Sequence, residues 1–306
     1  MKQVPTNRCI AMNWETTQSF LLPWAFILFL TSTAFAAPGD NPPAQETPPP
    51  TRPLSEKVTV PLNLPDPTDI PATPQGEAIR YGEQLVRHTQ ANAKDFVGNG
   101  LNCTNCHLQA GQIPYAMPYV GLSGVYPQYR TRSGKVISLQ ERVNGCFRRS
   151  LNGKPLPLDS PEMNAIISYI GWLSQGVPLG ADVWGRGVNK LAAPASPPDP
   201  VRGKKLFARI CARCHGLNGA GKTGPKGDYQ FPPLWGDKSF NIGAGMARLN
   251  TAAAFIKANM PPDKSGSLSE QEAYDIAAYF TRQPRPDFPD KVKDWPKGGK
   301  PPDARY

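Results

Sequence analysis

Two pentapeptides, Cys103-Thr104-Asn105-Cys106-His107 and Cys211-Ala212-Arg213-Cys214-His215, each set two thiols three positions apart with an imidazole directly after the second. On one turn of chain that spacing lets the thiols bond the two vinyl groups of a haem while the histidine points at the iron, which is the attachment of a c-type haem. The motifs use four of the six cysteines, Cys9 lies in the N-terminal leader, and Cys146 is left over. With both motifs occupied it has no disulfide partner in the mature chain, so it is either a buried free thiol or a working one. Zinc is the rival use of such ligands, but a zinc site needs four of them together, and these motifs stand in separate halves of the chain.

A haem iron held by one histidine takes a sixth ligand, and the chain has only three histidines. His107 and His215 belong to the motifs. His88, toward the end of the segment before the first motif, reads as facing solvent or a haem propionate, so the remaining ligands are sought among sulfurs. Met260, in Asn259-Met260-Pro261-Pro262, is expected on the second iron, with Met246 as the alternative and a core position as the plainer reading of Met246. In the first half the matching place, before the closing helix, is held by Cys146. Met117 and Met163 compete for that role, and a structural free Cys146 is the bland reading. A thiolate ligand would lower the potential of its haem below that of a His/Met pair.

Cationic residues crowd Cys146: Arg130, Arg132 and Lys135 upstream, then Arg142, Arg148, Arg149 and Lys154. Most such charges serve solvent or propionates. An arginine about 4 Å from a unit of negative charge is nonetheless worth roughly 4 kcal/mol at an effective dielectric near 20, less where water screens it. A cluster of them lowers a thiol pKa and draws anions toward it.

The elements that must hold these groups repeat. Apolar positions recur at helical spacing over 76–86 and 201–210, each before a motif, and over 161–173 and 269–280, each closing its half. Ser160 and Ser269 are the expected N-caps, with Ser269 and Glu272 as a capping box. Helix, haem motif, long loop and closing helix resemble class I cytochrome c, so the expected fold is all-α: two such domains, 76–191 and 201–284, joined by a Pro-rich linker at 192–200. An apolar run from Phe20 to Leu30 ending at Ala34-Phe35-Ala36 reads as a secretory signal peptide over 1–36, with an uncleaved anchor as the alternative although Pro23 interrupts a run short for a span. Residues 37–75 form a Pro-rich arm and 285–306 a surface tail. No segment of the mature chain is long and apolar enough to cross a membrane.

With 36 prolines and 39% hydrophobic residues in 306, the chain suits two small domains rather than one large core. The formal charge of +10 suits a small anion or an acidic redox partner. Nucleic acid does not fit, since the chain has neither a basic helix nor a stripe of aromatics among basic residues. Gly216-Leu217-Asn218-Gly219-Ala220-Gly221-Lys222-Thr223 matches the phosphate-loop pattern, yet a haem motif precedes it where a strand is required, so nucleotide binding is not expected. The glycines are read as letting backbone pass close to the second haem.

The stretch Arg142-Val143-Asn144-Gly145-Cys146-Phe147-Arg148-Arg149-Ser150-Leu151-Asn152-Gly153-Lys154, with 119–124, 231–236 and 253–261, resembles the dihaem thiosulfate dehydrogenases. The resemblance spans about residues 76–285. It implies a periplasmic enzyme coupling two thiosulfates to tetrathionate, some relatives running the reverse reaction, with electrons passing from haem 1 to haem 2 and on to a soluble cytochrome c or similar acceptor. It implies Cys146 as catalytic thiol and haem ligand, with Arg132, Arg142 and Ser150 contacting substrate. Some relatives carry a ligating Lys before the second-haem Met; Asn259 stands there, so plain His215/Met260 ligation is expected. The alternatives are a dihaem electron-transfer cytochrome without substrate chemistry and a dihaem peroxidase, the latter disfavoured by the scarcity of histidine.

Overall fold

The computed structural model describes residues 58–225 and 228–306. The expected signal peptide, Cys9 and the arm up to residue 57 lie outside the described residues. The principal helices are α1 (Pro74–Arg87), α2 (Leu139–Arg149), α3 (Pro161–Leu173), α4 (Pro200–Leu206), α5 (Leu249–Asn259) and α6 (Glu270–Thr281). Short strands complete it: β1 (Thr59–Val60) runs parallel to β4 (Asp182–Val183), β2 (Gln128–Arg130) pairs antiparallel with β3 (Lys135–Ile137), and β5 (Lys222–Thr223) with β6 (Tyr229–Phe231). The described end of the N-terminal arm thus wraps onto the first half through β1.

Helix starts follow local chemistry. Ser160 accepts from the Met163 amide, Ser269 and Glu272 cap one another's backbone, and Asp199 accepts from the Val201 and Arg202 amides. Each half then crosses its first helix over its last at a glycine. A Cβ on Gly82 of α1 would lie 2.0 Å from the Ala165 carbonyl oxygen of α3, and one on Gly203 of α4 would lie 1.9 Å from the Asp275 carbonyl oxygen of α6. Only a residue without a side chain lets the backbones approach this closely, and the repetition marks the halves as copies of one design. Around the first crossing Leu85, Val86, Tyr169, Ile170 and Leu173 are buried.

One apolar core runs through both halves. The linker carries no regular structure until Pro200 opens α4 and is mostly exposed, so the halves are joined by contact. Buried asparagines stitch the seam: Asn99 Nδ2 donates to the Ser239 carbonyl at 3.2 Å, and Asn241 Nδ2 to the Arg148 carbonyl at 2.9 Å. Two expectations need correction. Cys146 sits within α2 rather than on a loop, because Ser138 and Glu141 form a capping box that starts a helix there. The tail is not merely on the surface: Phe288 and Trp295 are buried, and Asp294 forms an ion pair with Arg149 at 2.7 Å. The phosphate-loop lookalike runs into strand β5 with no helix after it, and its glycines approach protein: a Cβ on Gly219 would meet the Trp235 ring at 2.4 Å.

Candidate active site

Each motif histidine lines a cavity together with its motif cysteines, about 330 Å³ around His107 and about 490 Å³ around His215. His107 Nδ1 lies 2.7 Å from the Met117 carbonyl oxygen and His215 Nδ1 lies 2.9 Å from that of Pro232. Nδ1 must carry the proton to donate there, so Nε2 is the nitrogen left for a metal, the arrangement a metal-ligating imidazole needs. The residues therefore fit two covalently held haems. The Met117 carbonyl is aimed by unusual backbone: Gln109, Ala110, Tyr115 and Met117 all have positive φ, a conformation that costs energy for residues other than glycine. Among the described residues no three of His, Cys, Asp or Glu cluster as a bare metal ion would need.

The second cavity also takes in Met260, at the end of α5, and Met246. His88 is exposed and lines this second cavity rather than the first. Met163 is fully buried in the core. Both cavities are lined by Leu101, Asn102 and Cys106, so a thin shared wall separates them.

Cys146 is the one cysteine outside the motifs in the described chain, and its setting differs from theirs. Burial pushes the Cys103 and Cys211 thiols up to about 11 and Cys106 up to about 12. Burial acts on Cys146 in the same direction, but the Arg142 guanidinium, the His107 imidazole and the Arg149 charge outweigh it and hold the thiol down at about 6. Arg142 Nη1 donates to the Cys146 Sγ at 3.5 Å. The helix makes this contact: Arg142 and Cys146 stand four residues apart on one face of α2, and Ser150, its C-cap, follows at the same spacing. Cys146 is thereby set as a thiolate beside His107.

A second opening reaches the same sulfur. A cavity of about 590 Å³ is lined by Cys146, Arg142, Ser150, Arg132, Arg130 and Lys135 from the first half, by Gly245, Met246 and Arg248 from the second, and by Trp295 from the tail. Arg132 lines it too, and its guanidinium is engaged by protein, donating to the Gly243 carbonyl at 2.6 Å, lying 3.7 Å from Asp294 and stacking 4.8 Å over Trp295. Among the described lining residues Glu141 is the one acid, and Lys135 neutralises it at 2.8 Å.

Residues 93–179 match the family described as SoxA/TsdA, cytochrome c domain, and residues 198–280 match Cytochrome C oxidase, cbb3-type, subunit III. A thiosulfate dehydrogenase of Psychrobacter arcticus is 50% identical over 244 residues, 80% of this chain and 74% of the relative. The chain belongs to the thiosulfate dehydrogenase family. A second member, from Allochromatium vinosum, is 44% identical over 78% of this chain and 90% of its own. The solved thiosulfate dehydrogenase TsdBA from Marichromatium purpuratum superposes with a TM-score of 0.71 at 40% identity, covering 78% of this chain and 53% of that one. The chain is thus a mostly helical pair of cytochrome c domains that bind haem c.

Members of the site that sequence reading missed are contributed from a distance or by backbone: the Met117 and Pro232 carbonyls, Arg248, and Asp294 with Trp295. Among the described residues no helix is long and apolar enough to cross a membrane.

Proposed function

We propose that this protein is a periplasmic dihaem thiosulfate dehydrogenase that couples two thiosulfate ions into tetrathionate and passes two electrons to an external acceptor such as a soluble cytochrome c. The observation that carries the reading is Cys146: a thiol held low by Arg142, facing His107 on one side and a basic cavity of about 590 Å³ on the other. His107 and Cys146 would hold the first haem, His215 and Met260 the second, with Cys103, Cys106, Cys211 and Cys214 forming the covalent links. When bound, the haems supply acceptors for the two electrons, one at a time, with the thiolate-ligated first haem at the lower potential.

The chain's own residues do the rest. The cations of the cavity draw in thiosulfate and reduce the repulsion between two dianions. Arg142 and Ser150 orient the first ion against Cys146. A bond forms between the Cys146 Sγ and its terminal sulfur as two electrons leave, giving a Cys146–S–SO3 adduct. The terminal sulfur of the second thiosulfate attacks the adduct's sulfane sulfur. The bond to Cys146 breaks, tetrathionate departs, and Cys146 is again a thiolate. Charge balances in both steps.

Purified holoprotein given thiosulfate and ferricyanide is expected to form one tetrathionate for every two ferricyanide ions reduced. Reduction of the haems by thiosulfate without tetrathionate would contradict the proposal and leave an electron-transfer cytochrome.

A further inference from the structure

The cavity beside Cys146 is walled by both halves of the molecule, and one of its charges comes from the second half: Arg248, which precedes α5. Of the half-buried arginines in this wall the other three have partners, Arg132 with Gly243 and Asp294, Arg149 with Asp294, Arg142 with Cys146, while Arg130 and Arg148 are exposed. Arg248 does not: among the described residues its guanidinium makes no hydrogen bond and no ion pair, and its Nε is buried without an acceptor. A guanidinium nitrogen left buried and unpaired is costly, and Arg248, half-buried with its Nε in that state, has no protein acceptor to offset it, whereas Arg149, whose Nε is also buried, has Asp294. Arg248 also stands close enough to Arg132 for the two charges to repel, a cost that an anion between them would reverse.

We propose that Arg248 anchors a second anion subsite, which holds the sulfonate end of the incoming thiosulfate while the first ion is bonded to Cys146. This inference rests on the coupling reaction proposed above. The adduct on Cys146 keeps one negative sulfonate and the second thiosulfate brings two charges, so attack requires the sulfane ends to meet while the sulfonates are held apart. Arg142 and Ser150 on α2 serve the first sulfonate. A guanidinium from the other half, with a planar fork matched to two oxygens of an oxyanion, serves the second. In the step it assists, the new sulfur–sulfur bond forms as the bond to Cys146 breaks, the cysteine leaves as thiolate, and no electron is lost. The site is then complete only when the two halves are docked.

The test uses full-length holoprotein with ferricyanide as acceptor, comparing wild type with Arg248→Gln and Arg248→Lys. In the Gln variant the KM for thiosulfate is expected to rise about tenfold to a hundredfold, the loss of one charge-assisted contact to an anion. Brief exposure to thiosulfate is expected to leave the S–SO3 adduct accumulated on Cys146, read by peptide mass, because the first step proceeds and the second stalls. Arg248→Lys should restore part of the KM and shorten the life of the adduct. A fall in kcat with unchanged KM and no adduct would indicate a merely structural role and overturn the proposal, as would wild-type behaviour. Should the Gln variant not fold, phenylglyoxal labelling of Arg248 in wild type decides: tetrathionate is expected to slow it, and labelling indifferent to tetrathionate overturns the subsite. If the wild type itself makes no tetrathionate, the coupling reaction fails rather than the subsite alone.

Discussion

Burial alone would keep Cys146 protonated, as it pushes the Cys103 and Cys106 thiols up; the opposite outcome at Cys146 is set first by the cation four residues earlier on its own helix, with His107 and Arg149 acting in the same direction. Arg142→Gln removes both that charge and the 3.5 Å contact to the sulfur. The expected result is a fall of about a hundredfold in the rate of haem reduction by thiosulfate, the scale on which one preorganised donor at a reacting atom acts. Stopped-flow absorbance measures it, and an undiminished rate would place the activation elsewhere. Cys146 itself was legible as a count that would not balance, whereas Arg142 and Ser150 were named through the family resemblance. Arg132 was named in the same way. That its guanidinium is shared among Gly243, Asp294 and Trp295 depends on chain more than a hundred positions away, which no local pattern reveals.

The helices that open and close each half were readable because an apolar period and an N-cap agree at each start, with a proline at the first position of α1, α3 and α4. Helix α2 was missed although its capping box, Ser138 with Glu141, stands in the sequence: its polar composition hid the stripe that Leu139 and Phe147 bury. The glycine crossings make a sharper claim about packing. Gly203→Ala would drive a methyl group into the Asp275 carbonyl, and separating α4 from α6 should cost about 1–3 kcal/mol, read as a lower thermal midpoint. Asp275 also ties these helices by accepting from the Asp199 amide at 2.8 Å and Gln271 at 3.0 Å, and from Arg202. Burial pushes its carboxyl up, but those donors outweigh it and leave it below the ordinary carboxylate value. A depressed carboxylate stabilises the fold above its unfolded pKa, and that stabilisation drains away as pH falls through the folded one. Asp275→Asn should therefore lose about 1–3 kcal/mol at neutral pH and flatten the acid limb of stability, checked by thermal unfolding across pH.

Across the whole molecule the second half and the tail complete what the first half begins. The tail was expected on the surface because its Pro, Lys and Asp content resembles solvated chain, but Phe288 and Trp295 bury themselves and Asp294 answers Arg149 and Arg132. Asp294 is nearly inaccessible, 4% exposed, so Asp294→Ala strands two arginines and should cost about 3 kcal/mol of stability. The basic cavity should loosen with it, seen as weaker thiosulfate binding in the same preparation. Two domains, two haem motifs and a Pro-rich linker were visible from spacing; the seam between them was not, since it is made by asparagines and carbonyls brought together only by folding. Cys146 is the residue on which the coupling reaction depends, and the direct measurement is tetrathionate formation by Cys146→Gly holoprotein. No tetrathionate above background, with the absorption of the second haem unchanged, is the predicted result; formation at the wild-type rate would contradict it.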